Sequence, residues 1–371
     1  MVKLTGKALI AAVTVAAIVP LASCGSDDNL GASPELSGVI ADCTGTNTLT
    51  AEGSTAQQNA IALFNQVWGR LCPGKRTAYN PTGSGAGREQ FVAGQVDFAG
   101  SDSPLAARQF DAATQRCGGN PPWNLPLVFS AIALAYNLDD YLDDGTPLVL
   151  TADLLADIFS GAVTRWSDPA ITALNPDAAL PDVEITPVYR SDSSGTTDNF
   201  QEYLAIAAPD SWHRGAGTEF QGGVGEGAQK SAGVVQSVQV TPGAIGYVEK
   251  GFADQASLPY AQIDSGSGPV GLTEESAGRA VDAAAFSGAG NDLTLDLPSL
   301  FGTDRPEAYP LVQATYEIVC SNGYHPDTAA AVKSFLTTAA NHGRNKLAPA
   351  GYVPLPERFK QRLVASIEAI Q

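Results

Sequence analysis

Histidine, methionine and positive charge are scarce in this chain of 371 residues. It contains three histidines and one methionine, and 21 lysines and arginines stand against 39 aspartates and glutamates. The net charge of −18 argues against nucleic acid as a partner, because phosphate backbones bind basic surfaces. The three histidines are not at ligand spacing and no Cys-x-x-Cys pair occurs, so the sequence contains no metal-binding motif. We expect neither a metal nor another cofactor.

The apolar run Ala8 to Val19 is too short to span a bilayer comfortably. Two lysines precede it and Leu21-Ala22-Ser23-Cys24 follows, which is the layout of a secretory signal. The Leu-Ala-Ser-Cys ending resembles a bacterial lipobox, in which the cysteine is lipidated. We expect residues 1–23 to be a signal peptide, Cys24 to carry the lipid and residues 24–45 to form a flexible tether. The alternative is an ordinary cleaved signal with an incidental cysteine.

Cysteines are few, and an even number remains once Cys24 is set aside. Cys43, Cys72, Cys117 and Cys320 allow three pairings, and an even count in an exported protein indicates disulfides. Cys43 lies just before a predicted strand, and Cys72 lies just after the helix that follows that strand. A strand and its return helix bring these ends together, so we predict the disulfides Cys43–Cys72 and Cys117–Cys320. Free buried thiols are the weaker alternative.

Three short Gly/Ser/Thr segments stand where helices are predicted to begin: Gly53-Ser54-Thr55, Gly83–Gly87 and Ser193–Thr196. The N–H groups of a helix's first turn lack partners inside the helix, and small residues let an anion approach them. Alternating strands and helices predict a parallel sheet, whose ligands bind beyond the carboxyl ends of the strands. Asp102 and Arg190 each follow a predicted strand at that edge.

Each of these residues also has an ordinary structural interpretation. Thr55 could be a simple helix cap, and Ser84 could belong to a glycine-rich turn. Asp102 and Arg190 could be surface charges, and Asp192 could hold the arginine or cap the next helix. If all of these interpretations were correct, five residues with unrelated structural roles would have to meet at one sheet edge by chance. The pattern therefore favours a single buried anion site.

In order along the chain, these motifs resemble those of the phosphate-binding proteins (PstS) of high-affinity phosphate ABC importers. The matching segments are Gly53-Ser54-Thr55, Gly83-Ser84-Gly85-Ala86-Gly87, Gly100-Ser101-Asp102, Arg190-Ser191-Asp192-Ser193-Ser194-Gly195-Thr196, Pro242-Gly243-Ala244-Ile245-Gly246-Tyr247-Val248, Trp166-Ser167-Asp168-Pro169 and Leu174-Asn175-Pro176. The resemblance covers roughly residues 46–371. The lipobox and the additional cysteines look like the actinobacterial lipoprotein branch of the family.

The resemblance implies an α/β, two-lobed periplasmic-binding-protein fold of type II. Each lobe would be a mostly parallel sheet flanked by helices, and two crossing strands would join the lobes. Residues 46–129 would form the first part of lobe I, residues 130–248 lobe II, and residues 249–371 the second part of lobe I. The implied protein is a lipid-anchored monomer on the extracytoplasmic face of the cell membrane. It would bind inorganic phosphate and deliver it to permease and ATPase subunits.

The resemblance also assigns roles within the site. The residues implied to contact phosphate are Thr55, Ala56, Ser84, Asp102, Arg190, Ser194, Gly195 and Thr196. Ser54 and Asp192 would support them, with Asp192 holding the guanidinium of Arg190. Asp102 would accept a hydrogen bond from a protonated phosphate oxygen. Ala56 departs from members that carry an aromatic residue there; a backbone N–H contact survives this change, but side-chain packing over the ligand does not.

Two other functions remain open from the sequence. One is a phosphate-ester hydrolase that uses Ser84 or Ser194 as its nucleophile, although none of the three histidines lies in a matching motif. The other is a receptor for a different oxyanion, such as sulfate or molybdate. Sulfate carries no proton at neutral pH and would leave a buried Asp102 unpaired, a mismatch that disfavours its binding.

Overall fold

The computed structural model describes residues 39–138, 147–302, 305–342 and 347–371, together with Met1. The predicted signal peptide, most of the predicted tether and the predicted lipid site Cys24 lie outside these ranges. Residues 40–371 form one unit. Among the described helices, none is long and apolar enough to cross a membrane.

Strands and helices alternate along most of the described chain. The strands are β1 (Thr48–Gly53), β2 (Arg76–Pro81), β3 (Phe98–Ser101), β4 (Pro122–Tyr136), β5 (Val149–Leu150), β6 (Thr186–Arg190), β7 (Glu226–Ala228), β8 (Ala244–Glu249), β9 (Gln262–Asp264), β10 (Pro269–Val270), β11 (Ala285–Phe286), β12 (Leu295–Asp296), β13 (Val312–Cys320) and β14 (Tyr352–Val353). The helices are α1 (Gln58–Leu71), α2 (Ser84–Val92), α3 (Ala107–Arg116), α4 (Ala152–Ser160), α5 (Pro169–Leu174), α6 (Gly195–Ala207), α7 (Lys230–Val240), α8 (Lys250–Gln255), α9 (Glu274–Ala283), α10 (Leu297–Phe301), α11 (Pro326–His342) and α12 (Glu357–Glu368).

A mixed sheet of order β2-β1-β3-β13-β4-β8-β6-β7 runs through the molecule, and β14 pairs with β4. At each end of this sheet the strands pair in parallel: β1 pairs with β2 and β3, and β6 pairs with β7 and β8. Its centre is antiparallel, since β13 pairs with β3 and β4, and β4 pairs with β8.

Strand β4 belongs to both halves of the sheet. Residues 122–131 pair with β13, whereas residues 132–136 pair with β8. The strand has fifteen residues, and the thirteen that follow Trp123 are all buried. This burial is expected for an apolar strand that is covered on both faces. This strand therefore provides the first of the two connections between lobes that the sequence predicts.

Helix α1 shows how the local sequence produces the packing. Its buried residues recur at helical spacing and place one apolar face on the sheet: Ala60, Ile61, Phe64, Val67 and Trp68. Trp68 also meets Phe335 of α11 edge to face, with ring centroids 5.3 Å apart. Helix α1, which ends at the residue before Cys72, is thereby fixed against the core.

Both predicted disulfides are present in the structure. Cys43 and Cys72 have Cα atoms 5.3 Å apart and join the start of the described chain to the end of α1. Cys117 and Cys320 have Cα atoms 5.4 Å apart and join the end of α3 to the end of β13. The second bridge fastens residues near 320 to the first lobe.

Two features of the later chain differ from the sequence interpretation. No strand is predicted from the sequence at residues 312–320, where the structure has β13, buried at all nine positions. The predicted division places everything after residue 248 in lobe I, but β9 pairs with β5, in parallel, near the start of lobe II. This short pairing has no strong local signal, because β5 has only two residues.

Candidate anion-binding site

The three Gly/Ser/Thr segments meet at one place, at the carboxyl ends of parallel strands. Thr55 follows β1 and precedes α1, Ser84 opens α2, and Gly195 opens α6. Ser194 is the cap of α6, where its Oγ accepts a hydrogen bond from the N–H of Thr197 at 3.2 Å. The first turns of these helices therefore converge, as the sequence pattern indicates.

All of the residues predicted to contact phosphate are buried. The exposed fractions are Thr55 2%, Ala56 1%, Ser84 1%, Asp102 3%, Arg190 3%, Ser194 1% and Thr196 1%, and Gly195 is also buried. Burying hydroxyl and charged groups this deeply costs free energy unless each group has a hydrogen-bond or ion-pair partner. We therefore expect each of these side chains to have such a partner.

Residues from both halves of the sheet are in direct contact here. The amide of Asn199 on α6 donates to the backbone oxygen of Asp102 at 2.7 Å. The hydroxyls of Thr55 and Ser231 lie 2.8 Å apart. A Cβ added to Gly195 would lie 2.6 Å from Asp102 Cβ and 2.6 Å from Ser84 Oγ, so only glycine fits at this point. The site is closed around the junction of the two halves.

Asp102 is held by three hydroxyl groups. Ser54 Oγ lies 2.7 and 2.8 Å from its two carboxylate oxygens, Thr315 Oγ1 donates to Oδ1 at 2.7 Å, and Ser84 Oγ lies 3.2 Å from Oδ2. Burial raises the pKa of Asp102 to about 6, with the charge of Glu249 adding to the increase and the hydroxyl donors opposing it. At neutral pH Asp102 is mainly ionised and accepts hydrogen bonds.

Arg190 is the cation of the site and forms a two-pronged ion pair with Asp192. Its Nε and Nη2 donate to the two carboxylate oxygens at 2.8 and 2.5 Å. Burial alone would lower the pKa of Arg190, but the bonds to Asp192 raise it above its usual range. Burial likewise opposes ionisation of Asp192, but Arg190 lowers the pKa of that carboxyl overall. The backbone N–H of Lys230 also donates to Asp192 at 2.8 Å, which fixes the pair in place.

Local hydrogen bonds shape the segment before α1. The N–H of Ala56 donates to Ser54 Oγ at 3.0 Å, and Tyr352 donates its hydroxyl proton to the Ala56 carbonyl at 2.8 Å. Ser54 thus links the turn to Asp102, the supporting position that the resemblance assigns to it. In this structure the Ala56 N–H and the Thr55 hydroxyl have partners within the protein, and an incoming anion would compete with those partners.

Sequence inspection missed several polar residues that the fold brings to the site. Thr315 comes from β13, Ser231 from the start of α7 and Glu249 from the end of β8. Glu249 accepts a hydrogen bond from Thr196 at 2.6 Å. One signal was available for β13: Gln313, Thr315 and Glu317 alternate with apolar residues, which indicates a strand with one polar face.

The two serines considered as nucleophiles have other partners. Ser84 Oγ is bonded to the side chain and to the N–H of Asp102, and Ser194 Oγ caps α6. In the described part of the chain neither serine has a hydrogen bond to a histidine, and no group of three or more His, Cys, Asp or Glu side chains is placed to hold a metal ion. The geometry offers donors to an anion and, within the described ranges, does not place a histidine base beside either serine.

The fold and the site define a class, the periplasmic-binding-protein fold. Residues 41–340 match the family model described as a PBP superfamily domain. The chain is similar to a solved high-affinity periplasmic phosphate-binding protein, PfluDING, with a TM-score of 0.68 at 22% identity. That likeness covers 86% of this chain and 93% of the other, and it concerns the fold alone.

Curated relatives narrow the class to a family. The chain is 46% identical to "Phosphate-binding protein PstS3" of Mycobacterium bovis (strain BCG / Pasteur 1173P2), over 96% of this chain and 97% of the relative. It is 32% identical to "Phosphate-binding protein PstS" of Methanocaldococcus jannaschii, over 82% of each chain. The chain belongs to the PstS family of phosphate-binding proteins.

Proposed function

We propose that this protein is an extracytoplasmic receptor that binds inorganic phosphate between its two lobes and delivers it to an ABC importer. The observation that carries this proposal is the buried cluster of helix N-termini, hydroxyls and Arg190 around Asp102. Hydrogen bonds to a charged group contribute roughly 1.5–3 kcal/mol each, so several such donors are sufficient for tight binding. Arg190 is already paired with Asp192, so the dipoles supply much of the attraction.

The carboxylate of Asp102 favours the binding of phosphate over that of tetrahedral anions that carry no proton. An ionised, buried carboxylate repels an oxyanion that has no proton, whereas a phosphate P–O–H can donate to it. The residues proposed to contact the ligand are Thr55, Ala56, Ser84, Asp102, Arg190, Ser194, Gly195 and Thr196. Ser54 and Asp192 hold Asp102 and Arg190 in position through the contacts described above.

Titration of the purified protein with phosphate, sulfate and molybdate by calorimetry tests the function. We expect micromolar or tighter binding of phosphate, corresponding to about −8 kcal/mol or better, and much weaker binding of the other two anions. Tighter binding of sulfate or molybdate than of phosphate would favour the receptor for another oxyanion.

The hydrolase alternative has a separate test. We expect no turnover of p-nitrophenyl phosphate, since in the described part of the chain neither Ser84 nor Ser194 is bonded to a histidine that could activate it as a nucleophile. Turnover that disappears in a Ser84→Ala variant would favour the hydrolase and contradict the receptor.

The cellular setting is also part of the proposal. Lipidation of Cys24 would anchor the protein to the membrane. The part of the predicted tether before residue 40, where the packed unit begins, would provide reach for a monomer to meet the permease and ATPase subunits. We propose residues 46–129 as the first part of lobe I, and a second lobe that begins at residue 130 and keeps β9 and β10, because β9 pairs with β5. The remaining chain completes lobe I through β13 and the last two helices.

A further inference from the structure

A hydrogen bond between side chains joins the two lobes beside the proposed anion site. Ser103 follows β3 in lobe I and is 2% exposed, and Asp198 lies in the first turn of α6 in lobe II. Ser103 Oγ lies 2.5 Å from Asp198 Oδ2. A hydroxyl can donate to a carboxylate and can accept from a protonated carboxyl, so this contact does not depend on whether Asp198 is ionised.

The next residue of α6, Asn199, makes a second contact between the lobes. Its Nδ2 donates to the backbone oxygen of Asp102 at 2.7 Å and to that of Gly195 at 2.8 Å. Both partners are carbonyl oxygens, which only accept, so the atom that faces them has to be the amide nitrogen. Asn199 is 4% exposed. It therefore ties the segment after β3 to the same first turn of α6 that Ser103 contacts.

Arg88, on α2 in lobe I, brings a positive charge to the same boundary. It is 5% exposed, its Nη1 donates to the Pro104 carbonyl at 3.0 Å, and its Nε has no hydrogen-bond partner in the described part of the chain. Burial lowers the pKa of Arg88, and the charge of Asp198 opposes this effect. Burial raises the pKa of Asp198, and Ser103 and Arg88 oppose that increase. When Asp198 is ionised, its attraction to Arg88 adds to the bond with Ser103.

We propose that Ser103 and Asp198 form a latch that holds the two lobes closed around bound phosphate, with Asp198 as a positioning residue. This inference rests on the proposed function. The bond forms only when the lobes are together, so it stabilises the closed arrangement relative to an open one. Phosphate affinity then depends on a contact between two residues that are outside the set proposed to bind the ligand.

Asp198 also has an ordinary structural role, which the test has to separate from the latch. An acidic residue in the first turn of a helix stabilises that helix through its dipole. That effect belongs to lobe II alone and does not involve Ser103. A double-mutant cycle measures the interaction between the two residues apart from what each one does in its own lobe.

Calorimetric titration with inorganic phosphate at pH 7.5 supplies the cycle. We expect Ser103→Ala and Asp198→Ala each to weaken phosphate affinity about 3–30-fold, the range expected when one such hydrogen bond is lost. Both substitutions break the same bond, so the double variant should stay within about twofold of the weaker-binding single variant. Asp198→Asn keeps an acceptor for Ser103 and should lose less affinity than Asp198→Ala.

Lobe II contains a matched pair for the control. Ser211 Oγ donates to Asp153 Oδ1 at 2.9 Å, and Asp153 lies in the first turn of α4. This bond has the same chemistry but stays within one lobe, so Ser211→Ala should leave phosphate affinity unchanged. If Asp198→Ala does not fold, the comparison of Ser103→Ala with Ser211→Ala supplies the test.

Three results would overturn the proposal: an unchanged phosphate affinity in Ser103→Ala, losses of affinity that add in the double variant, or an equal loss in Ser211→Ala. An unmodified protein that binds no phosphate would instead contradict the proposed function. The two failures are therefore distinguishable.

Discussion

At the scale of single residues, Glu317 is a buried carboxyl with little hydrogen bonding to support its charge. It lies on β13 with 0% exposure, and Gln57 Nε2 is 3.4 Å from its Oε2. Its Oε1 has no hydrogen-bond partner within the described ranges. Burial raises the pKa of Glu317 to about 8, and the charge of Asp102 adds to the increase. Glu317 is therefore mainly neutral at neutral pH.

This raised pKa predicts a pH-dependent contribution to stability. The folded pKa of about 8 exceeds the ordinary glutamate value of 4.5, so the folded state binds more protons than the unfolded state between these values. The contribution of Glu317 is fully present below pH 4.5 and is lost as pH rises to about 8. A glutamine at this position does not titrate, so the Glu317→Gln variant should not lose stability in this way. The free energy of unfolding of the variant, minus that of the unmodified protein, should therefore increase as pH rises from 4.5 to about 8.

Urea unfolding at pH 5 and pH 8.5 measures the effect. Glu226→Gln, at an exposed position on β7, is a suitable control and should follow the unmodified protein at both pH values. Parallel pH profiles for Glu317→Gln and the unmodified protein would contradict the assignment.

At the scale of elements, the start of α6 shows why glycine is required in one of the three segments. Gly195 lies so close to Asp102 and Ser84 that a Cβ would approach their atoms to 2.6 Å. Gly195→Ala should therefore hold the two lobes apart. Such overpacking typically costs about 1–3 kcal/mol, which corresponds to a phosphate affinity about 5–150-fold weaker.

A glycine in α9 provides the matched control for this substitution. A Cβ added to Gly278 would meet open space out to 4 Å, so Gly278→Ala should leave phosphate affinity unchanged and slightly stabilise the helix. Calorimetry with phosphate on both variants makes the comparison. Equal affinities for Gly195→Ala and Gly278→Ala would show that the close contact does not govern binding.

Many elements of both lobes were predictable from the sequence, because apolar runs and small or capping residues mark them locally. The strand β4 and the starts of α2 and α6 are examples of such local signals. Glu249 and Thr315 were not identified, because their roles depend on pairing between strands far apart in the chain. β13 lies between β3 and β4, more than 170 residues from either, and local sequence does not specify such a partner.

At the scale of the whole molecule, the net charge of −18 is compatible with an anion site because the attraction is local. Interactions between exposed charges are largely screened beyond about 8 Å at physiological ionic strength. The buried donors around Asp102 act at shorter range and in a lower dielectric. A ligand that bridges both lobes would bind the closed arrangement better than an open one and so favour closure.

The central claim is that Asp102 makes this two-lobed site selective for phosphate, and one calorimetric comparison tests it most directly. Phosphate and sulfate are titrated into the unmodified protein and into Asp102→Asn at pH 7.5. We expect the unmodified protein to bind phosphate and to reject sulfate, and sulfate binding to improve below pH 6, where protonated Asp102 can donate. Asp102→Asn should bind both anions at pH 7.5, with little pH dependence for sulfate. Undiminished rejection of sulfate by Asp102→Asn would contradict the account.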